Sequence, residues 1–147
     1  MSSTVPTNSE WALRASPFHH VGFVVGSITQ AAPGFAESIG ANWDGIVIHD
    51  PLQGVQVTFL RPRVPQSPVV ELVEPDDDDS PVMSFLKRGG GLHHFCYEVG
   101  EIEKQLEIAR SMGMLIAKPP QPAAAFGGRR IAWVYTRQRL LLELLEK

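Results

Sequence analysis

Gly89-Gly90-Gly91-Leu92-His93-His94-Phe95-Cys96-Tyr97-Glu98-Val99-Gly100-Glu101-Ile102 is the stretch that decides how this chain folds. Two adjacent histidines enter an apolar run, and a charged helical pattern follows at once. Pro17-Phe18-His19-His20-Val21-Gly22-Phe23-Val24-Val25-Gly26-Ser27-Ile28 repeats the plan. With His20 laid on His94, and no gap, His19 falls on His93, Val25 on Val99, Gly26 on Gly100 and Ile28 on Ile102. Such self-similarity marks an internally duplicated fold. The ends of the two halves also correspond: Glu71-Leu72-Val73-Glu74 closes the first and Glu143-Leu144-Leu145-Glu146 the second. Each half therefore opens on His-His and closes on Glu-x-x-Glu.

Apolar periodicity fills in the elements. Phe18 to Val25 reads as a strand with Val21, Phe23 and Val25 on one face and His20, Gly22 and Val24 on the other. Ser27 caps a helix whose stripe is Ile28, Ala32, Phe35 and Ile39, ended by Gly40, with Pro33 kinking it or delaying its start. Strands follow over 43–49, 54–60 and 68–74. Pro75 and the aspartate run 76–79 form a solvated turn, capped by Asp79 or Ser80 into a helical turn over 81–87. In the second half, 92–99 is a strand and 101–112 a helix with the stripe Ile102, Leu106, Ala109 and Met112. A short strand over 114–117, a Pro/Ala/Gly loop over 118–128, and strands over 129–136 and 140–146 complete it. The fold class is α+β: two tandem βαβββ modules, 17–75 and 89–147, make one domain over 17–147. The linker is 76–88, and 1–16 is a flexible leader whose Trp11 and Leu13 are able to dock on the body or on a second subunit.

Bulk properties narrow the function. The chain has 147 residues and a net charge of −3 from 13 basic and 16 acidic residues, which provides no basic surface for nucleic acid. No apolar run is long enough to span a bilayer and no secretory signal is present. A single cysteine, Cys96, rules out an internal disulfide and suits a reducing cytoplasm.

Strand alternation selects one histidine from each doublet. His20 and His94 face away from the helix-packing side, whereas His19 and His93 share the face of the large apolar residues and serve packing or a sheet-edge hydrogen bond. Of the glutamates, Glu71 sits between Val69 and Val73 and Glu143 between Leu141 and Leu145. A carboxylate among aliphatic groups is costly unless paired or metal-bound. His20, Glu71, His94 and Glu143 thus form an N₂O₂ set for one divalent ion, zinc, cobalt, nickel, manganese or iron. Arg129, Arg130, Phe126 and Trp133 are candidates for holding substrate, and Cys96 is a small wall residue.

These motifs resemble the vicinal oxygen chelate superfamily, which includes glyoxalase I, bleomycin-binding proteins and methylmalonyl-CoA epimerase. The resemblance runs from Phe18 to Glu146 and is strongest to the epimerase branch through His19-His20-Val21-Gly22, Gln53-Gly54-Val55, Glu71-Leu72-Val73-Glu74-Pro75, Asp79-Ser80-Pro81, Gly90-Gly91-Leu92-His93-His94, Glu98-Val99 and Leu142-Glu143-Leu144. It implies a glyoxalase-like cupped mixed sheet, the same four metal ligands, a homodimer, and a small-molecule substrate. The implied reaction is that of an isomerase or epimerase moving a proton α to a metal-bound carbonyl, with Glu143 as ligand and base. Alternatives on the same scaffold are a glyoxalase-like lyase, an oxygenase, or a bleomycin-resistance-type binding protein. Some epimerases carry a second catalytic glutamate where this chain has Val57, which leaves Glu98, His49 or water as the second proton acceptor.

Overall fold

Alternating bulky and small residues set the first strand. In the computed structural model, which describes residues 10–147, β1 (Phe18–Val24) buries His20, Gly22 and Val24 on one face. Val21 and Phe23 on its other face pack under α1 (Ile28–Ile39). The Ser27 side chain accepts from the Gln30 N–H and starts this helix. Gly40, at φ 65°, ends it in the left-handed region that glycine favours. The helix runs through Pro33 instead of starting there. Pro33 and Thr29, whose carbonyl loses its partner to the proline, both face solvent, so that carbonyl is open to hydration. The buried stripe is Ile28, Ala32 and Ala36; Ile39, expected on it, is 50% exposed.

The strand expected over 43–49 is two pieces, β2 (Ala41–Trp43) and β3 (Ile48–Asp50), both antiparallel to β4 (Val55–Pro62). Asp44 and Gly45 break the run: Asp44 Oδ1 accepts from the Ile46 N–H at 2.9 Å, and Gly45 has φ 78°. β5 (Val69–Pro75) follows, then α2 (Met83–Lys87), which starts later than expected because Ser80 and Pro81 are spent on the turn before it.

The second half contains β6 (Gly91–Val99), α3 (Ile102–Ser111), β7 (Leu115–Pro122), β8 (Arg130–Tyr135) and β9 (Leu141–Glu146). β7 runs across Pro119 and Pro120, where the sequence suggests a loop. It is an edge strand, and its register against β8 slips on either side of Lys118, so the prolines fall where few ladder donors are required.

All of these strands form one nine-stranded mixed sheet in the order β2-β4-β5-β1-β6-β9-β8-β7, with β3 beside β4. β1 lies parallel to β5 and antiparallel to β6, and β6 lies parallel to β9, so the two halves meet at the β1/β6 seam. α1 covers one half from outside through Ala32, Ala36, Leu60 and Leu72; α3 covers the other through Ile102, Leu106, Ile108 and Leu144. The opposite face of the sheet curls into a cup. Of the leader expected over 1–16, residues 1–9 lie outside the described residues. Trp11 is buried in the α3 cluster, and the Ala12 N–H donates to Gln105 Oε1 at 2.9 Å.

Candidate metal centre

Pairing across the seam builds the site. Gly22 on β1 has Glu71 of β5 as its neighbour on one side and His94 of β6 on the other. Cys96 on β6 has His20 of β1 on one side and Glu143 of β9 on the other. Two rows therefore cross the floor of the cup, each reading carboxylate, small residue, imidazole, in opposite directions. The middle residue must be small in the first row because the His94 ring lies over Gly22: a β-carbon there would stand 2.0 Å from His94 Cε1.

The four candidate side chains are almost completely buried, at 0% (His20), 4% (Glu71), 1% (His94) and 2% (Glu143) exposure. Their donor atoms lie within 4.8 Å of one another. His20 Nε2 is 3.0 Å from Glu143 Oε1, 3.2 Å from His94 Nε2 and 3.5 Å from Glu71 Oε1. His94 Nε2 is 3.2 Å from Glu71 Oε1 and 3.4 Å from Glu143 Oε1. A metal ion about 2.0–2.2 Å from each donor gives donor–donor edges of about 3.0–3.5 Å, depending on octahedral or tetrahedral arrangement. Glu143 Oε1 is also buried without a hydrogen-bond partner, the kind of atom a cation satisfies. The donor set thus fits a divalent ion in spacing, chemistry and unmet need.

Burial opposes charge on every member of this group, yet their mutual proximity outweighs it. Glu71 and Glu143 push His20 up to about 10 and raise His94. The two imidazoles in turn hold both carboxylates below the usual range. Burial, and then Glu143 and Glu71, drive the Cys96 thiol far up, so it stays a neutral wall group.

His19 and His93 do not occupy the helix-packing face where strict alternation puts them. The β1/β6 register slips at both positions: Phe18 pairs with Tyr97 and His20 with Cys96, while Gly22 pairs with His94 and Phe23 with Leu92. These are β-bulges, and they bring each doublet's rings together, His19 Nδ1 2.7 Å from His20 Nδ1 and His93 Nδ1 2.8 Å from His94 Nδ1. Burial and the neighbouring imidazole lower both outer histidines, His93 to about 4. The signal that reveals them in the sequence is the doublet itself, recurring in both copies where alternation demands an apolar residue.

Above the quartet lies a cavity of about 250 Å³. Val55, Val57, Val73, Ile131, Phe126 and Trp133 are among the apolar residues of its wall, so two of the expected substrate contacts face it. Arg129 and Arg130 do not line it. Arg129 donates to Glu98 at 3.0 Å and to the Glu146 carbonyl at 2.8 Å; Arg130 pairs with Glu146 at 2.6 Å and Glu103 at 2.7 Å. Lys118 is the cation on the cavity wall, a residue the sequence reading passed over. Asp50 also reaches the cavity, but its two oxygens accept from the Gln53 and Ala124 N–H groups and tie down the turn that carries Phe126. Of the candidate second acceptors, Glu98 is held by Arg129 and His49 is exposed beside Asp76.

The sequence profile described as "Glyoxalase/Bleomycin resistance protein/Dioxygenase superfamily" matches residues 19–133. An ethylmalonyl-CoA/methylmalonyl-CoA epimerase of Cereibacter sphaeroides is 27% identical over 121 residues, 81% of this chain and 87% of that protein. The uncharacterized protein YqjC of Bacillus subtilis is 32% identical over 134 residues, 86% of this chain and 89% of that protein. The crystal structure of a hypothetical protein from Bacillus halodurans superposes with a TM-score of 0.77 at 30% identity, covering 90% of this chain and 95% of that one.

Proposed function

This chain belongs to the glyoxalase/bleomycin resistance/dioxygenase superfamily, and on that premise we propose that it is a divalent-metal-dependent isomerase, epimerase-like in type, acting at the carbon α to a carbonyl. The observation that carries the proposal is the buried quartet of two imidazoles and two carboxylates, with donor edges of 3.0–3.5 Å and a Glu143 Oε1 that accepts no hydrogen bond although the imidazole nitrogens stand beside it. The likeness to an ethylmalonyl-CoA/methylmalonyl-CoA epimerase supports the reaction class.

His20, Glu71, His94 and Glu143 would hold the ion, which when bound supplies Lewis acidity toward a carbonyl oxygen. The chain does the rest. Glu143 faces the cavity and takes or returns the proton at the α-carbon. The apolar wall excludes bulk water from the reacting carbon. Lys118 meets an anionic group of the substrate near the cavity wall. Residues 17–147 are read as one domain of modules 17–75 and 89–147, working as a homodimer in a reducing cytoplasm.

One observation favours a second reading within the same chemistry. The cavity is lined by three carboxylate residues: Asp50 is already spent on backbone N–H groups, Glu71 and Glu143 sit together in the quartet with donor atoms within 4.8 Å of one another, and Val57 adds no acceptor on another face. One base serving both carbons gives a proton shift, as in an isomerase or a glyoxalase-like lyase, whereas inversion at one carbon requires acceptors on two faces. The test is to incubate cobalt-loaded protein with methylmalonyl-CoA and a panel of 2-substituted acyl thioesters in deuterium oxide, following the α-proton by NMR. Exchange that disappears in Glu143→Gln, and metal that disappears in His20→Ala, support the proposal. No exchange on any member of the panel removes the α-proton chemistry; full metal occupancy in a His20→Ala/His94→Ala variant removes the quartet.

A further inference from the structure

Each histidine doublet presses its rings together through the nitrogens that face away from the quartet. His19 Nδ1 lies 2.7 Å from His20 Nδ1, and His93 Nδ1 lies 2.8 Å from His94 Nδ1. Two imidazole nitrogens at that distance share a hydrogen bond, so one carries a proton and the other a lone pair. Nε2 of His20 and of His94 is the atom turned to Glu71 and Glu143. A nitrogen that ligates must present its lone pair, which puts the ring proton of His20 and His94 on Nδ1. His19 and His93 must then accept, with their own proton on Nε2.

Residues adjacent in a strand point to opposite faces, so this contact is unavailable to a regular β-strand. The bulges at His19 and His93 make it, one in each copy of the repeat and each at the first histidine of its doublet. The outer rings are themselves held. His19 packs edge-on to Phe126 with centroids 5.5 Å apart, and His93 edge-on to Phe85 at 4.9 Å. Two carboxylates would already balance the charge of a divalent ion held here. A neutral imidazole acceptor orients the ligand ring without adding a third negative charge, which would blunt the ion's Lewis acidity.

We infer that His19 and His93 are positioning residues for the metal site, each accepting the Nδ1–H of the histidine that follows it and so fixing that ring's tautomer and direction. The inference rests on the metal reading of the quartet. It is tested with Co²⁺ on the full chain, by chelator competition and by NMR of the paramagnetically shifted, exchangeable Nδ1–H protons. Asparagine places an oxygen close to where histidine has Nδ1, while leucine has similar bulk and no acceptor. His19→Leu and His93→Leu should each weaken Co²⁺ binding roughly 10- to 100-fold. Each should also lose the shifted proton of its own half only, while the Asn variants stay near wild type. A role in packing alone predicts that Asn and Leu variants fall together, and that result overturns the inference. Wild-type affinity with both protons retained in the Leu variants overturns it too, and leaves the metal reading standing. A wild-type chain that binds no Co²⁺ overturns both. Should the Leu variants fail to fold, the wild-type spectrum decides. Two slowly exchanging shifted protons support the inference, and protons in fast exchange with water refute it.

Discussion

Replacing Gly22 with alanine adds one carbon, and the structure places that carbon inside the His94 ring. It would stand 2.0 Å from Cε1, 2.4 Å from Nε2 and 2.5 Å from Nδ1. Unbonded carbons rest about 3.5–4.0 Å apart, so the ring or the strand must give way by about 1.5 Å. The quartet's donor edges span 3.0–3.5 Å, and metal sites tolerate distance errors of only about 0.2 Å. On the proposed metal reading, a shift of that size would remove His94 from the donor set. Gly22 lies outside the left-handed backbone region, so its backbone accepts alanine and the conflict is purely one of space. Elsewhere such an exchange stabilises by about 0.4–1 kcal/mol through the unfolded chain; here overpacking costs about 1–3 kcal/mol. The net loss of about 1–2 kcal/mol lowers Tm by about 2–8 °C for a chain of this size. The assay is thermal unfolding in chelator together with Co²⁺ titration of Gly22→Ala. Gly26→Ala, where a β-carbon meets nothing within 4 Å, is the control and should match or slightly exceed wild-type stability. Adding His94→Ala to Gly22→Ala should recover stability but not metal, a coupling that a double-mutant cycle measures. Gly22→Ala binding Co²⁺ with wild-type affinity would refute the reasoning, because His94 could not then occupy the position described.

The metal-free protein should be most stable near pH 6–7. The His20 pKa, raised to about 10, gives stability that is complete below the unfolded value near 6.5 and is lost as pH climbs toward 10. On the acid side, the lowered carboxylates Glu71 and Glu143 give stability present above about 4.5 and lost below it. Neutral His93, lowered to about 4, adds a loss between about 6.5 and 4. A Tm scan from pH 4 to 10 in chelator checks this, and a flat or monotonic profile contradicts it; saturating metal should flatten the alkaline limb. Cys96 is fully buried and its thiol raised well above the ordinary value, so iodoacetamide at pH 8 should label it only after unfolding. Rapid stoichiometric labelling of the folded chain would show the cup wall to be open.

The clustering of the candidate site's side chains is legible in the sequence where strand geometry is regular, and hidden where it is not. His20, Glu71, His94 and Glu143 fall on faces that a period of two assigns, and the internal repeat makes each half check the other. His19 and His93 violate that period. A bulge shifts a single residue, and its trace here is no more than the repeated doublet, so alternation alone sends both rings to the wrong face. The arginines fail for a different reason. Charge near a cavity reads as substrate contact until its partners are known, and those partners are set by cross-strand register. Ile131 opposite Leu145 puts Arg130 beside Glu146, and α3 brings Glu103 within 2.7 Å of it. The prolines of β7 mislead in the same way, since Pro119 and Pro120 forbid only a central strand and the sheet offers them an edge. Each misreading thus concerns a residue whose role depends on which strand lies beside it. The four side chains of the quartet could be grouped from the sequence because they are related by the duplication, which the sequence carries directly, and the structure brings them together.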